Sequence, residues 1–405
     1  MNPSSSKTRY MEIWRKHPLS DDKDSLFKGV SLVAFSPGPC SRYVAFAGER
    51  GLLLLSADGG RLLAKLSDQL QRTSIKAFSW FLPDTLVCAY SNGNIVDIRV
   101  TQERLDVDIA ICEGHCVECL TVDQKGEYLA TAARQAISTW HRQGDGSWTE
   151  HMALGSSLPM RAVDQKLPVI VTSLSWYEDP GQLLIVSYRF HGIHIWDVRS
   201  ATVLRTVLDP GGVLGNASLS PDQRYLAVVT EGGVDVIRIQ DKALGKKPVY
   251  ADCGVDYPVV FLHDGRAVLT STVDGNVQLT TRDGSHLQTL RHRDICAPSG
   301  DTVLASAAAS RSKLNLYFAN SSMKDSNVLS VSEGSKEINP KLRICTVSRH
   351  CICMWETADP SSRDFGSLID MDGEDLLAKD RRETLRLQIA LEGHLQTLKE
   401  ASMGA

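Results

Sequence analysis

Leu219-Ser220-Pro221-Asp222-Gln223-Arg224-Tyr225-Leu226-Ala227-Val228-Val229 runs into Thr230-Glu231-Gly232-Gly233 and then Val234-Asp235-Val236-Ile237. Pro221 and Asp222 preset a turn that reverses the chain. Tyr225 to Val229 supply a buried strand, rich in residues that suit a pleated surface. The glycines permit the positive φ that a tight hairpin needs. Val234 to Ile237 then alternate between two faces, as a second strand does.

The same grammar recurs along the chain. Phe35-Ser36-Pro37 leads to Tyr43-Val44-Ala45-Phe46-Ala47, then Gly51 and Leu52 to Leu55. Phe78-Ser79-Trp80 leads to Leu86-Val87-Cys88-Ala89, then Asn92-Gly93-Asn94 and Ile95 to Ile98. Related units surround Leu129, Leu184, Val268 and Leu304. Aligned on Val44, Leu86, Leu129, Leu184, Leu226, Val268 and Leu304, successive units lie 42, 43, 55, 42, 42 and 36 residues apart. A strand-rich period of about 40–45 residues is that of a four-stranded propeller blade. One blade cannot bury both faces, and a ring of blades can. The expectation is therefore an all-β protein, a seven-bladed β-propeller with eight blades as the alternative. It would carry a short C-terminal helical or irregular tail.

The domain plan follows. Residues 1–29 form an N-terminal segment whose Tyr10-Met11-Glu12-Ile13-Trp14 alternates and is the candidate closing strand. Residues 30–356 form the propeller, and residues 357–405 a polar tail, partly helical. In the last repeat, Val303 to Ser306 and Leu314 to Phe318 fit two strands. Ile344 to Val347 and Cys351 to Glu356 either complete that blade or begin another. The 55-residue interval places an enlarged surface connection between Trp140 and Pro168.

Composition narrows the class. The 405 residues are 42% hydrophobic and 23% charged, enough for a large core. Net charge is −4, with no basic patch of the kind that binds nucleic acid or a membrane surface. The start of the chain is polar, without the apolar core of a signal peptide. No apolar run is long enough for a membrane span. The ten cysteines show no framework spacing. A cytoplasmic or nuclear protein with reduced thiols is expected.

These repeats resemble WD40 repeats. The resemblance rests on Gly114-His115, the Phe35-Ser36-Pro37 and Leu219-Ser220-Pro221-Asp222 turns, the Asp274-Gly275 hairpin, and the strand ends Thr139-Trp140 and Trp196-Asp197. In that family a His, a Ser or Thr, an Asp and a Trp often form a buried network within a blade. Here the structural signature residues are Gly114, His115, Thr131 and Trp140 in the third repeat, and Ser271 and Asp274 in the sixth. No blade keeps the full set, so apolar packing must do most of the work. The resemblance implies a scaffold that binds other proteins or peptides on its disc faces.

Trp196-Asp197-Val198-Arg199 is the sharpest local motif. The resemblance implies a partner-binding role for Trp196, Asp197 and Arg199, since some WD40 propellers dock on a cullin ubiquitin-ligase adaptor through such a box. Val186, Tyr188 and Phe190 stand where that box wants small residues and an acid. The simpler reading is an ordinary blade edge.

Other clusters yield less. Cys112, His115, Cys116 and Cys119 superficially resemble metal ligands, but no second distant pair completes a zinc-ribbon spacing. Cys351 and Cys353 share one strand face, where burial is the simpler role. His191 sits in a hairpin turn and His194 on a strand, so they point differently. Nothing resembles a nucleophile elbow, a phosphate loop or a paired-carboxylate site. No catalytic residue, no metal and no cofactor is expected, and the chain reads as not an enzyme. Its partners are expected to be proteins or peptides, with no nucleic acid and no membrane. The rivals are a ubiquitin-ligase substrate receptor and an enzyme or small-molecule binder that uses the central channel.

Overall fold

The computed structural model describes residues 10–16, 30–37, 42–49, 51–67, 73–101, 104–133, 135–154, 167–177, 182–208, 212–240, 258–262, 265–272, 276–290, 304–307, 343–347 and 352–357. All lie in one compact unit, Arg9–Thr357. Strand β1 is Tyr10–Lys16. Blade 1 holds β2 (Val30–Phe35), β3 (Tyr43–Gly48), β4 (Gly51–Ser56) and β5 (Leu62–Ser67). Blade 2 holds β6 (Ile75–Leu82), β7 (Thr85–Tyr90), β8 (Asn94–Thr101) and β9 (Arg104–Cys112). Blade 3 holds β10 (Cys119–Val122), β11 (Tyr128–Ala133), β12 (Ala136–Arg142) and β13 (Trp148–Leu154). Blade 4 holds β14 (Val171–Tyr177), β15 (Leu183–Tyr188), β16 (Gly192–Asp197) and β17 (Thr202–Leu208). Blade 5 shows β18 (Leu214–Leu219), β19 (Tyr225–Thr230) and β20 (Gly233–Arg238). Blade 6 holds β21 (Val259–Leu262), β22 (Ala267–Ser271), β23 (Val277–Thr281) and β24 (His286–Leu290). The remaining strands are β25 (Leu304–Ala307), β26 (Arg343–Val347) and β27 (Ile352–Thr357).

The protein is an all-β propeller of antiparallel blades. Innermost strands follow one another around it: β2 against β6, β6 against β10, β10 against β14, β14 against β18, β18 against β21, β21 against β25, and β25 back against β2. Six blades each come from one stretch of chain. The remaining sheet, in the order β1-β27-β26-β25, is drawn from both ends of the unit. Tyr10 pairs with Thr357 and Lys16 with Ile352, with a bulge at Ile13.

The expectation of a seven-bladed propeller, with eight blades as the alternative, is therefore corrected: among the described residues the blades number six, and the remaining sheet closes the ring from both ends of the unit. The physical reason lies at Leu304. That apolar stretch starts no self-contained blade, because β25 pairs directly with β26 and the sheet is completed only by β1. Strands β26 and β27 belong to this closing sheet and begin no eighth blade. The strand expected at Leu314 to Phe318 and the helical or irregular tail lie outside the described residues. The long connection expected after Trp140 is also partly a strand, since Trp148–Leu154 forms the outer edge of blade 3.

One device repeats at the turn between the first and second strand of a blade. The buried Ser36 donates its N–H to the Tyr43 carbonyl at 2.9 Å, and its Oγ accepts the Tyr43 N–H at 3.2 Å. Ser220 does the same with Tyr225, at 2.8 and 2.9 Å. Its hydroxyl also donates to Asp222 Oδ1 at 2.6 Å. In blade 3 the buried Asp123 takes this place, with Oδ1 accepting the Glu127 and Tyr128 N–H groups at 2.7 and 2.8 Å. Each side chain satisfies backbone donors that the turn would otherwise leave buried without partners.

The core lies between blades. Strand β7 is buried along its whole length. Its Leu86, Cys88 and Tyr90 pack toward blade 1 with Ala45, Leu52 and Leu54. Val87 and Ala89 pack the other way, with Val117, Leu129 and Trp148 of blade 3. Strand β19 divides likewise, Leu226 and Val228 toward blade 4 and Ala227 and Val229 toward blade 6. The period-2 alternation of a strand thus becomes two interfaces. Among the described residues, no helix is long and apolar enough to cross a membrane.

Candidate functional site

The signature residues of the third repeat meet in part. Thr131 is buried on β11, and its hydroxyl accepts the Trp140 indole N–H at 3.3 Å. The same hydroxyl donates to Glu113 Oε1 at 2.5 Å. The proton chain therefore runs Trp140 to Thr131 to Glu113, ending on a carboxylate that strengthens it. His115 takes no part and is exposed, as is Gly114. The cause is the loop's path. The Glu113 N–H donates to the Gly93 carbonyl at 3.0 Å, and the loop then crosses Gly93 so closely that a Cβ there would lie 2.6 Å from the His115 carbonyl oxygen. That crossing brings Glu113 to the blade and leaves His115 at the surface. In the sixth repeat Ser271 is fully buried, and Asp274 lies outside the described residues.

Trp196 is buried against blade 3, at the end of β16. Asp197 Oδ1 accepts the Arg199 N–H at 3.0 Å and holds the turn into β17. Arg199 is exposed. Of this motif, Trp196 serves packing, Asp197 shapes the turn, and Arg199 alone faces outward.

The histidine pair is set by one bond. His194 Nε2 lies 2.7 Å from the His191 carbonyl, which can only accept, so Nε2 carries the proton. Nδ1, 3.1 Å from Thr206 Oγ1, is then the acceptor of that hydroxyl. Burial holds this ring below the usual histidine range.

The cysteines do not gather as metal ligands. Cys112 is exposed and Cys116 half-buried, while Cys119 Sγ lies 3.6 Å from the Val171 carbonyl in the next blade. Burial pushes the Cys119 thiol up to about 12. Cys353 lies in β27, and Cys351 falls outside the described residues. Among the described residues, no group of three or more His, Cys, Asp or Glu side chains is placed to hold a metal ion.

One cluster had no signal in the repeat pattern. Asp97 of β8 accepts the Trp148 indole N–H at 3.2 and 3.3 Å from its two oxygens. Arg142 Nη2 stands 3.7 Å from Asp97 Oδ2. The Arg142 guanidinium lies over Phe81 at 4.9 Å and over Trp148 at 5.7 Å. Burial raises the Asp97 carboxyl above its ordinary range, against the downward pull of the Trp148 bond and the Arg142 charge. These side chains latch blade 2 to blade 3.

Several exposed apolar side chains lie on outer strands. Ile109 on β9 is 67% exposed, Leu204 on β17 63%, and Leu287 on β24 45%. A comparison with models of protein families finds no match for this chain, and a comparison with curated proteins finds none.

Proposed function

We propose that this chain is a divergent WD40-like, non-catalytic module that binds other proteins. The observation that carries this reading is a closed ring of antiparallel sheets, a fold compatible with a protein-interaction scaffold, on which Val107 and Ile109 stand exposed on one face of an outer strand. Two polar clusters that the fold gathers serve its own integrity: Thr131 within a blade, and Asp97 with Arg142 between blades. A rigid ring presents its loops and rim at little ordering cost on binding.

The test is co-purification of the full chain from its native cell, followed by reconstitution with the purified partner and hydrogen-exchange mapping. A stoichiometric protein partner protecting rim or loop amides is expected. A chain that captures no protein but turns over or retains a small molecule overturns the reading.

A second reading is favoured by the exposed Arg199, held at a turn that Asp197 shapes. In it, Arg199 docks a cullin-ligase adaptor. Pull-down of purified adaptor by wild type but not by Arg199→Ala is expected, and equal capture removes it.

A further inference from the structure

We propose that the free edge of β9 is a strand-addition site, and that its occupant is an extended segment of a partner protein in which basic residues alternate with β-branched apolar ones. This deepens, and rests on, the reading of the chain as a protein-binding module.

Strand β9 is the outermost strand of blade 2 and spans nine residues. Every second residue of such an edge turns its N–H and C=O away from the sheet, and these groups template another strand. Edges are blunted by shortness, by charged side chains, by proline or by bulges. Strand β9 is long and has no proline; it is bulged at Ala110, and its Asp106 and Asp108 guard it against strands that bring no cation, which leaves a basic strand as its match.

The two faces of β9 differ in chemistry. Leu105, Val107 and Ile109 stand opposite Val100, Ile98 and Val96, the buried residues that face blade 1. Val107 is 36% exposed and Ile109 67%, so this apolar face continues beyond the core into water. Asp106 and Asp108 stand on the other face, opposite Arg99 and Asp97. Asp106 has Arg99 across the strand pair and accepts the Thr101 hydroxyl at 3.0 Å. Asp108 has only another carboxylate opposite, and its charge raises the Asp97 carboxyl further.

An incoming strand would set its side chains beside these residues at cross-strand distance. Its apolar residues would extend the Val107–Ile109 face, and its Lys or Arg residues would set a cation beside Asp108, whose neighbour on β8 is a carboxylate. A second copy of this chain is the wrong occupant. Antiparallel pairing of β9 with itself at full overlap sets Asp108 against its own copy, and the register centred on Val107 sets Asp106 against the copy's Asp108; like charges directly opposite are destabilising.

The test uses the full chain and a labelled synthetic peptide alternating lysine and valine, followed by fluorescence anisotropy. Saturable binding is expected. Asp106→Lys/Asp108→Lys and, separately, Ile109→Ser should each weaken it about tenfold. All three side chains are exposed, so both proteins should keep the wild-type circular dichroism spectrum. A peptide with glutamate in place of lysine should bind the double variant and not the wild type. A lysine–valine peptide N-methylated at every backbone amide keeps charge and apolarity but has no N–H to give to β9, and it should not bind. Equal binding of that peptide, or no binding of the unmodified one, overturns the proposal. A reconstituted partner whose binding is untouched by Asp106→Lys/Asp108→Lys removes the β9 site and leaves the module reading standing. That reading falls only if the full chain takes no protein partner.

Discussion

Thr131 shows how one side chain can serve two neighbours. Its hydroxyl accepts from Trp140 and donates to Glu113 while buried in the blade. Thr131→Val keeps the shape and removes both bonds, leaving an indole N–H and a carboxylate oxygen without their partner. The expected loss is about 1–3 kcal/mol by urea denaturation. Thr131→Ser, which retains the hydroxyl, should lose much less. His115→Ala should cost almost nothing, because that ring is exposed. The residue types of this network were partly legible: Thr131 and Trp140 stand at the repeat positions that resemble the family's. Glu113 was not legible, since the close crossing over Gly93 depends on two loops meeting in space.

Between elements, the informative contact is the latch joining blades 2 and 3. Asp97 has its carboxyl raised above the ordinary carboxylate range chiefly by burial. A raised value means that the folded protein takes up this proton more readily than the unfolded chain. The group's contribution is therefore fully present below the unfolded value, about 3.9, and is lost as pH rises through the folded value. Asp97→Asn lacks that dependence. The stability of wild type relative to Asp97→Asn should thus fall as pH is raised from about 4 towards neutrality. Urea denaturation of both proteins across that range checks the sign, and a difference that is flat or rising with pH refutes it. Nothing in the repeat pattern announced this latch. Asp97 and Trp148 stand 51 residues apart and belong to different blades.

The whole molecule depends on closure. Strand β1 caps the edge of β27 and joins the start of the unit to its end. An open edge at that place is a template for pairing with another chain. Glu12 stands opposite Trp355 within this pairing. Glu12→Pro removes an N–H from β1 and should weaken the closure. The expected outcome is a lower thermal midpoint and concentration-dependent self-association by light scattering. An unchanged midpoint would mean that the ring does not need this strand.

What the chain determined by itself was its repeating unit. Turn chemistry at Ser36-Pro37 and Ser220-Pro221-Asp222, the apolar runs behind them and the glycine hairpins all act over a few residues, so they can be read in order along the sequence. The spacing of those units then led to a ring of sheets. Tertiary structure decided between the two readings of the last repeat, completion of a sheet or the start of another blade. Leu304–Ala307 looks like the start of another unit, but it pairs with Arg343–Val347, and the sheet runs on through Ile352–Thr357 to Tyr10–Lys16 from the far end. It alone decided also that Glu113 rather than His115 meets Thr131, and that Asp97 finds Trp148. Local preference fixes a turn or a strand, whereas these pairings form only once distant segments are brought together and their burial outweighs the cost of ordering them.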